Sequence, residues 1–323
     1  MVSKGYNPKA LGLFLSGYCN LSKTFPNENY KKEILFFVDL IEKKQSKGWS
    51  GMCWGYNFDW QARAFFHPAF TPTVVSTSFV GSALLDAYEI TGEKKLLEWS
   101  RSACNFILQD LNKTPDSGGN FAFSYSPLDK SQIFNASLLG AKLLAKVYSH
   151  TKENLLGESA KKAVHYCINH QAKDGSWVYG TLPHHQWIDS FHTGYNLECL
   201  SEYQNNTGDL DYEKNILSGT GFYLNNFFGE DGLPKYYSDK SFPQDIHAPA
   251  QLVVTLFRLG ILKRERLIAE KVLLWTINNM QDKKKGYFYF QKNKLFTNKI
   301  SYMRWSQAWM FYALSLYLLE FKS

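Results

Sequence analysis

Three stretches decide the fold: Ala83–Gly92 reads ALLDAYEITG, Lys142–Thr151 reads KLLAKVYSHT and Leu197–Gly208 reads LECLSEYQNNTG. Each is the tail of an apolar helix that reaches a Tyr and then a Thr at a turn. A second helical stretch follows each of them, at Lys94–Leu111, Asn154–Gln171 and Asp211–Phe228. The unit recurs about every 55–60 residues, somewhat longer than the common helical-pair repeats. Beyond each second helix lies an aromatic loop: Gly118–Ser126 (GGNFAFSYS), Asp174–Gly180 (DGSWVYG) and Asp231–Ser238 (DGLPKYYS), with Gly286–Phe290 (GYFYF) as a fourth. Aromatic runs flanked by glycine suit small β-hairpins, but the long segments carry helical periodicity and exclude a strand-dominated fold. The chain has room for about six helical pairs, enough to close a ring. The expected fold is all-α, an (α/α)6 toroid or six-hairpin barrel with short β-hairpin loops at one mouth, in a single domain over residues 1–323.

Five stretches read as inner helices because they are apolar nearly all round: Pro72–Ile90, Gln132–Ser149, Ser190–Tyr203, His247–Leu259 and Met303–Phe321. The second stretches carry Lys and Glu on one face and belong outside. Thr71, Asp189 and Asp245 offer N-cap oxygens, and Pro72 and Pro249 are tolerated in a first turn.

Composition narrows the function. Hydrophobic residues make up 45% and aromatics 16%, with 24 Phe, 20 Tyr and 9 Trp, more aromatics than a helical core needs, so some are expected to line a pocket. The net charge of +7 comes from 36 Lys+Arg against 29 Asp+Glu, much of it in short runs such as Lys161-Lys162 and Lys283-Lys284-Lys285. No Arg/Lys stripe alternates with aromatics, which argues against a nucleic-acid groove. A mild positive field favours an anionic glycan. The five cysteines are odd in number and scattered, without a CxxC pair, as expected of a reducing, cytoplasmic setting. The run ALGLFLSGYC at 10–19 carries Gly17 and Tyr18, lacks a small-residue cleavage site and reads as a first core helix. No stretch is long enough to span a bilayer.

In such a ring the N-terminal ends of the inner helices converge on one mouth, so candidate site residues are sought there. In Trp49–Phe70 (WSGMCWGYNFDWQARAFFHPAF), Trp54, Tyr56, Trp60 and Phe66 suit stacking on the apolar faces of sugar rings. Asp59, Gln61, Arg63 and His67 add charge and hydrogen bonds. In His184–Tyr195 (HHQWIDSFHTGY), Asp189 and His192 are three apart and share a helix face, which Tyr195 continues. His184 and His185 are adjacent and point apart, and no ligand set stands at metal spacing, so neither a metal nor another cofactor is expected. Asp245 and His247 open an inner helix in QDIHAPAQ (Gln244–Gln251), and Asp189 and Asp245 each have a plain capping role as the competing reading. Arg304 and Trp305 head another helix in YMRWSQAW (Tyr302–Trp309), where a buried Arg pairs with a carboxylate or binds one. Tyr125 and Asn135 read as structural. Trp177, in QAKDGSW (Gln171–Trp177), is a further candidate for sugar contact.

The segments CWGYNFDWQ (Cys53–Gln61), WIDSFHTGYNLECL (Trp187–Leu200) and QDIHAPAQ resemble those of toroid proteins encoded in bacterial exopolysaccharide and O-antigen clusters. The resemblance runs from about Trp49 to the C-terminus and implies a six-hairpin fold and polysaccharide biosynthesis, with no catalytic assignment attached. More widely the chain is similar to (α/α)6 glycosidases, sugar epimerases, polysaccharide lyases and the helical domains of glucuronyl C5-epimerases. Gln171–Trp177 also resembles the Gln-Trp repeat of terpene cyclase and prenyltransferase toroids, but the acidic DxDD motif is absent, and Gln-Trp loops also serve as structural staples.

Two mechanisms fit an oligosaccharide or polysaccharide substrate. In the leading one, two carboxylates among Asp189, Asp245 and Asp59 cleave a glycosidic bond. In the other, Tyr195 and His192 exchange a proton at C5 of a uronic acid while Arg304 neutralises its carboxylate, giving lysis or epimerisation. A non-catalytic glycan-binding component of a polysaccharide assembly machine is the third reading.

Overall fold

The computed structural model describes residues 4–61 and 65–322. Six inner helices run in chain order as α1 (Pro8–Thr24), α3 (Val74–Thr91), α5 (Phe134–Thr151), α7 (Ser190–Thr207), α9 (His247–Arg258) and α11 (Ala308–Lys322). Each packs against the next, and α11 returns to pack against α1, which closes the ring. The helices α2 (Lys31–Lys43), α4 (Lys94–Gln109), α6 (Asn154–Ile168), α8 (Glu213–Phe227) and α10 (Arg266–Met280) each pack outside the inner helix that precedes them. The architecture is therefore the expected toroid.

Helices α1, α3 and α7 begin where a side-chain oxygen occupies a free N–H group of the first turn. Asn7 Oδ1 accepts from the Ala10 N–H at 3.3 Å, Thr73 Oγ1 from Ser76 at 3.1 Å and Asp189 Oδ1 from His192 at 3.0 Å. Thr73, rather than the expected Thr71, caps α3, and Pro72 lies before the helix. Helices α3 and α7 end on Gly92 and Gly208 in the left-handed conformation, which glycine adopts without steric cost. Close helix approach requires glycine as well. A Cβ at Gly12 of α1 would lie 3.2 Å from the Phe79 carbonyl oxygen of α3, and one at Gly194 of α7 would lie 2.5 Å from Gln251 Cγ of α9.

Short antiparallel pairings sit on the loops that lead into inner helices. Strand β1 (Trp60–Gln61) pairs with β2 (Phe66–His67) before α3, and β3 (Lys113–Pro115) with β4 (Phe121–Phe123) before α5. A three-stranded piece joins β5 (Gln244–Asp245), β6 (Gln291–Lys292) and β7 (Thr297–Asn298). Short antiparallel pairings were expected, but of the four aromatic loops only Gly118–Ser126 carries a strand, β4, while Asp174–Gly180, Asp231–Ser238 and Gly286–Phe290 form isolated bridges at most.

The inner helices differ from the sequence reading in one respect. They are buried all round but not apolar all round, because a column of paired charges lies among them. Lys142 Nζ lies 2.7 Å from Glu198, Lys146 3.0 Å from Asp86, and Arg258 3.4 Å from Glu202. The three cations and three carboxylates cancel. Ser16 donates to Asp86 at 2.7 Å, Gln251 to Glu198 at 3.1 Å and Arg258 to Tyr312 Oη at 2.6 Å, which ties the neutral column together, although among the described residues Arg258 Nε and Gln251 Oε1 find no partner. Five of the six ionic residues lie within the three stretches that decide the fold.

Candidate active site

At the helix N-terminal ends a cavity of about 210 Å³ opens to solvent. Its wall takes Lys9 from α1, His192 and Tyr195 from α7 and His247 from α9. Arg304 and Trp305 come from a π-helical turn, Met303–Gln307, that leads into α11. Tyr56, Trp60, Tyr125, Tyr179, Trp187, Phe191 and Tyr236 complete an aromatic lining, with Val75 and Asn135. Among the described residues no carboxylate lines this cavity.

His192 is oriented from behind. Its Nδ1 lies 2.7 Å from Asp189 Oδ2, and Trp187 Nε1 donates to the same oxygen at 2.8 Å. A carboxylate only accepts, so Nδ1 carries the hydrogen and Nε2 is left as the atom that can take a proton. Asp189 thus caps α7 and sets the histidine tautomer at once. Its side chain is fully buried, whereas that of His192 is 20% exposed.

Beside it runs a second polar chain. Lys9 Nζ donates to Tyr195 Oη at 3.3 Å, and Tyr195 Oη lies 2.8 Å from His247 Nε2. Burial, reinforced by the charges of Lys9, His192 and Arg304, pushes the His247 imidazole well below its usual value, so it is neutral and accepts the tyrosine hydroxyl. Its ring stacks on Phe191 at 4.4 Å and lies 4.2 Å from that of Trp309. Burial raises the Tyr195 hydroxyl well above its usual range, which keeps it protonated as a donor.

Asp245 stands behind the wall. It accepts from the His247 N–H at 3.0 Å, Trp305 Nε1 at 2.7 Å and Gln291 Nε2 at 3.1 Å. Burial raises its carboxyl to about 6 against the pull of those donors. Its visible role is to fix the start of α9 and the Trp305 ring.

Tyr56, Trp60, His192, Tyr195, His247, Arg304 and Trp305 are therefore brought together as expected, while Asp189 and Asp245 lie one layer back. Asp59 is exposed and accepts the Ala69 N–H at 2.8 Å, closing a loop turn outside the cavity. Trp54 is fully buried and donates to the Ile41 carbonyl at 2.8 Å, so it belongs to the core. Trp177 is buried likewise, with Nε1 on the Cys167 carbonyl at 3.0 Å, and Gln171 bonds the Asn215 carbonyl at 3.0 Å. QAKDGSW is thus a staple between repeats. His67 supports the wall from behind, with Nε2 2.6 Å from Ser126 Oγ and its ring stacked on Trp60. Arg63 lies outside the described residues. Tyr125 and Asn135, read as structural, do line the cavity.

Lys9, Tyr179, Trp187, Phe191 and Tyr236 were not singled out from the sequence. For Lys9 the signal was present: a lysine at the second position of an otherwise apolar helix has no solvent face to occupy. An outer groove of about 630 Å³ adjoins the cavity and shares Arg304 and Trp305, with Phe58, Phe290, Tyr302 and Met303 on its walls.

No known family model matches the chain, and no curated protein matches it in sequence. Its fold is shared with solved sugar enzymes at low identity. Cellobiose 2-epimerase from Bacillus thermoamylovorans matches with a TM-score of 0.77 at 12% identity, over 97% of this chain and 87% of that one. A GH76 α-mannanase of Bacteroides thetaiotaomicron gives 0.69 at 12% identity, over 98% and 87%. An unsaturated glucuronyl hydrolase specific for heparin gives 0.68 at 15% identity, over 96% and 85%. The (α/α)6 toroid is therefore the shared property. Among the described residues no helix is long and apolar enough to cross a membrane.

Proposed function

We propose that the protein is a sugar epimerase or isomerase, which removes and returns a proton at a carbon next to a carbonyl or carboxylate. One observation carries this reading: the cavity presents imidazole, phenol, amine and guanidinium groups and, among the described residues, no carboxylate. Glycosidic cleavage by the usual route needs two carboxylates flanking the bond. Asp189 and Asp245 are instead occupied by ring and backbone N–H donors, which makes them supports for His192 and Trp305.

In this reading His192 Nε2 takes the proton, and Asp189 stabilises the imidazolium that forms. The Tyr195 hydroxyl, one turn along α7 from His192 and held between Lys9 and His247, offers a neighbouring donor, and Arg304 faces the developing enolate oxygen. The cavity of about 210 Å³ suits one sugar ring, being below the roughly 300–1,000 Å³ of pockets that enclose drug-sized ligands. The aromatic groove beside it suits further units of an oligosaccharide. The solved structures named above act on sugars, which supports the substrate class. A place in polysaccharide biosynthesis, and a cytoplasmic one, rests on the sequence alone.

The test is incubation with neutral and uronate-containing oligosaccharides in deuterated water. Deuterium at a carbon next to a carbonyl or carboxylate, without cleavage and abolished by His192→Asn, is expected. New reducing ends without deuterium would restore hydrolysis, and saturable binding without any exchange would leave a glycan-binding protein.

A further inference from the structure

Every buried cation of the axial column has a carboxylate 2.7 to 3.4 Å away. The cations of the mouth do not. Lys9 is 4% exposed, and among the described residues its amine hydrogen-bonds the neutral Tyr195 hydroxyl at 3.3 Å. Its amine otherwise rests 4.6 to 5.4 Å from the ring centres of Phe79, Tyr195 and Trp309. Arg304 lies 4.7 Å over the Tyr56 ring, and among the described residues no carboxylate is within 4.0 Å of it. Both side chains line the same cavity.

An ammonium withdrawn from water without a counter-charge is costly, and aromatic faces recover only part of that cost. Burial, and the positive charge of Arg304 beyond it, drive the Lys9 amine well below its ordinary range. The two carboxylates behind the wall, Asp189 and Asp245, direct their oxygens at Trp187, His192, Trp305 and Gln291 and offer none to the cavity. Glu198, one layer deeper, is held by Lys142 and Gln251. No counter-charge faces the cavity from inside, so an anion arriving from outside would favour the charged amine.

We propose that the mouth cavity takes a sugar bearing an anionic substituent, a carboxylate or a phosphate, with Lys9 as the deep counter-ion and Arg304 as the one at the rim. The proposal rests on reading the cavity as a sugar site but not on the reaction performed there. A charge-assisted hydrogen bond contributes enough for about a tenfold change in affinity for each cation.

The test is calorimetric titration at low salt with three matched probes: glucose, glucuronate and glucose 6-phosphate. One or both anionic sugars should bind at least about 30-fold more tightly than glucose, and which of them does identifies the substituent. Lys9→Met and Arg304→Gln should each cut that preference over glucose about tenfold. Arg304 is only half-buried, so its variant keeps the test valid if Lys9→Met fails to fold. Equal affinity for the three sugars, no binding of either anion, or a preference that survives both substitutions would overturn the proposal. Loss of deuterium exchange alone would remove the epimerase reading and leave this one standing.

Discussion

Lys142 and Lys9 are both lysines on inner helices, and both are buried, yet their amines are driven in opposite directions. Burial lowers both. Around Lys142 burial is the largest single effect, but the charge and hydrogen bond of Glu198, with Cys199 and Glu202, together outweigh it and carry the amine above its usual range, whereas around Lys9 the neighbouring Arg304 adds to burial and carries it down. The axis is a region where charge is matched inside the protein. The mouth is a region where it is not. The contrast teaches that charge left unmatched in a well-packed ring is informative, because the same fold shows a few ångströms deeper how it is matched when only stability is at stake.

If that division is right, damage to the two regions should separate. The largest effect belongs to the mouth: His192→Asn should reduce turnover by about 10²- to 10⁴-fold, the range for loss of a general base, with the melting temperature unchanged. Steady-state kinetics and thermal melting on the same preparation check this. Next comes Glu198→Gln on the axis, which strands Lys142 and should cost about 3–5 kcal/mol in chemical denaturation. A large loss of stability from the first variant, or none from the second, would break the comparison.

Acid should attack the axis as well. Burial pushes the Asp86 carboxyl up, but Lys146, Arg258 and Ser16 outweigh it and hold it near a pKa of about 2. His67, Ser131 and Ser126 likewise outweigh burial at Asp129 and hold it near about 2. A carboxyl lowered on folding stabilises above its unfolded value and loses that contribution as pH falls through the folded one. Stability should therefore drop between about pH 4 and 2, by about 2 kcal/mol for each group, and Asp86→Asn should flatten that slope. Asp245 runs the other way. Raised on folding to about 6, it favours the folded state at low pH, and that contribution fades as pH climbs from about 4 to 6. The smallest effect sharpens the contrast most. Lys9→Met removes a cation with no carboxylate partner, so unfolding should show a change within about 1 kcal/mol or a gain, unlike the penalty at Glu198.

Much of the ring was legible in the sequence, because the repeat of apolar helix, Tyr and Thr turn is a local pattern. Helix α7 begins at Ser190 and α9 at His247 as expected, and the other helices for which limits were predicted begin or end within a few residues of them, whereas α2 and α10 had no predicted limits. The cavity wall was legible in part, since His192, Tyr195, His247, Arg304 and Trp305 all lie near inner-helix starts. Residue type could not separate Asp189 and Asp245 from catalytic carboxylates, because a cap and a general base have the same chemistry and differ only in which donors surround them. Trp54 and Trp177 were misjudged for a related reason: an aromatic ring in a glycine-rich loop reads the same whether it points into a pocket or into the core. The axial charges went unseen because closure of the ring, not sequence spacing, decides which face of an inner helix turns to the axis.

That closure also sets a timetable. Lys9 enters the cavity from α1, and Arg304 and Trp305 from the turn that opens α11, so the wall spans a seam between the first and last inner helices. A chain emerging from the ribosome holds Lys9 without its partners across the seam until the roughly three hundred residues that separate it from Arg304 have been made. The cavity is therefore a long-range contact in its own right, one of the last parts of the molecule to exist and, by the same topology, an early casualty when the seam parts.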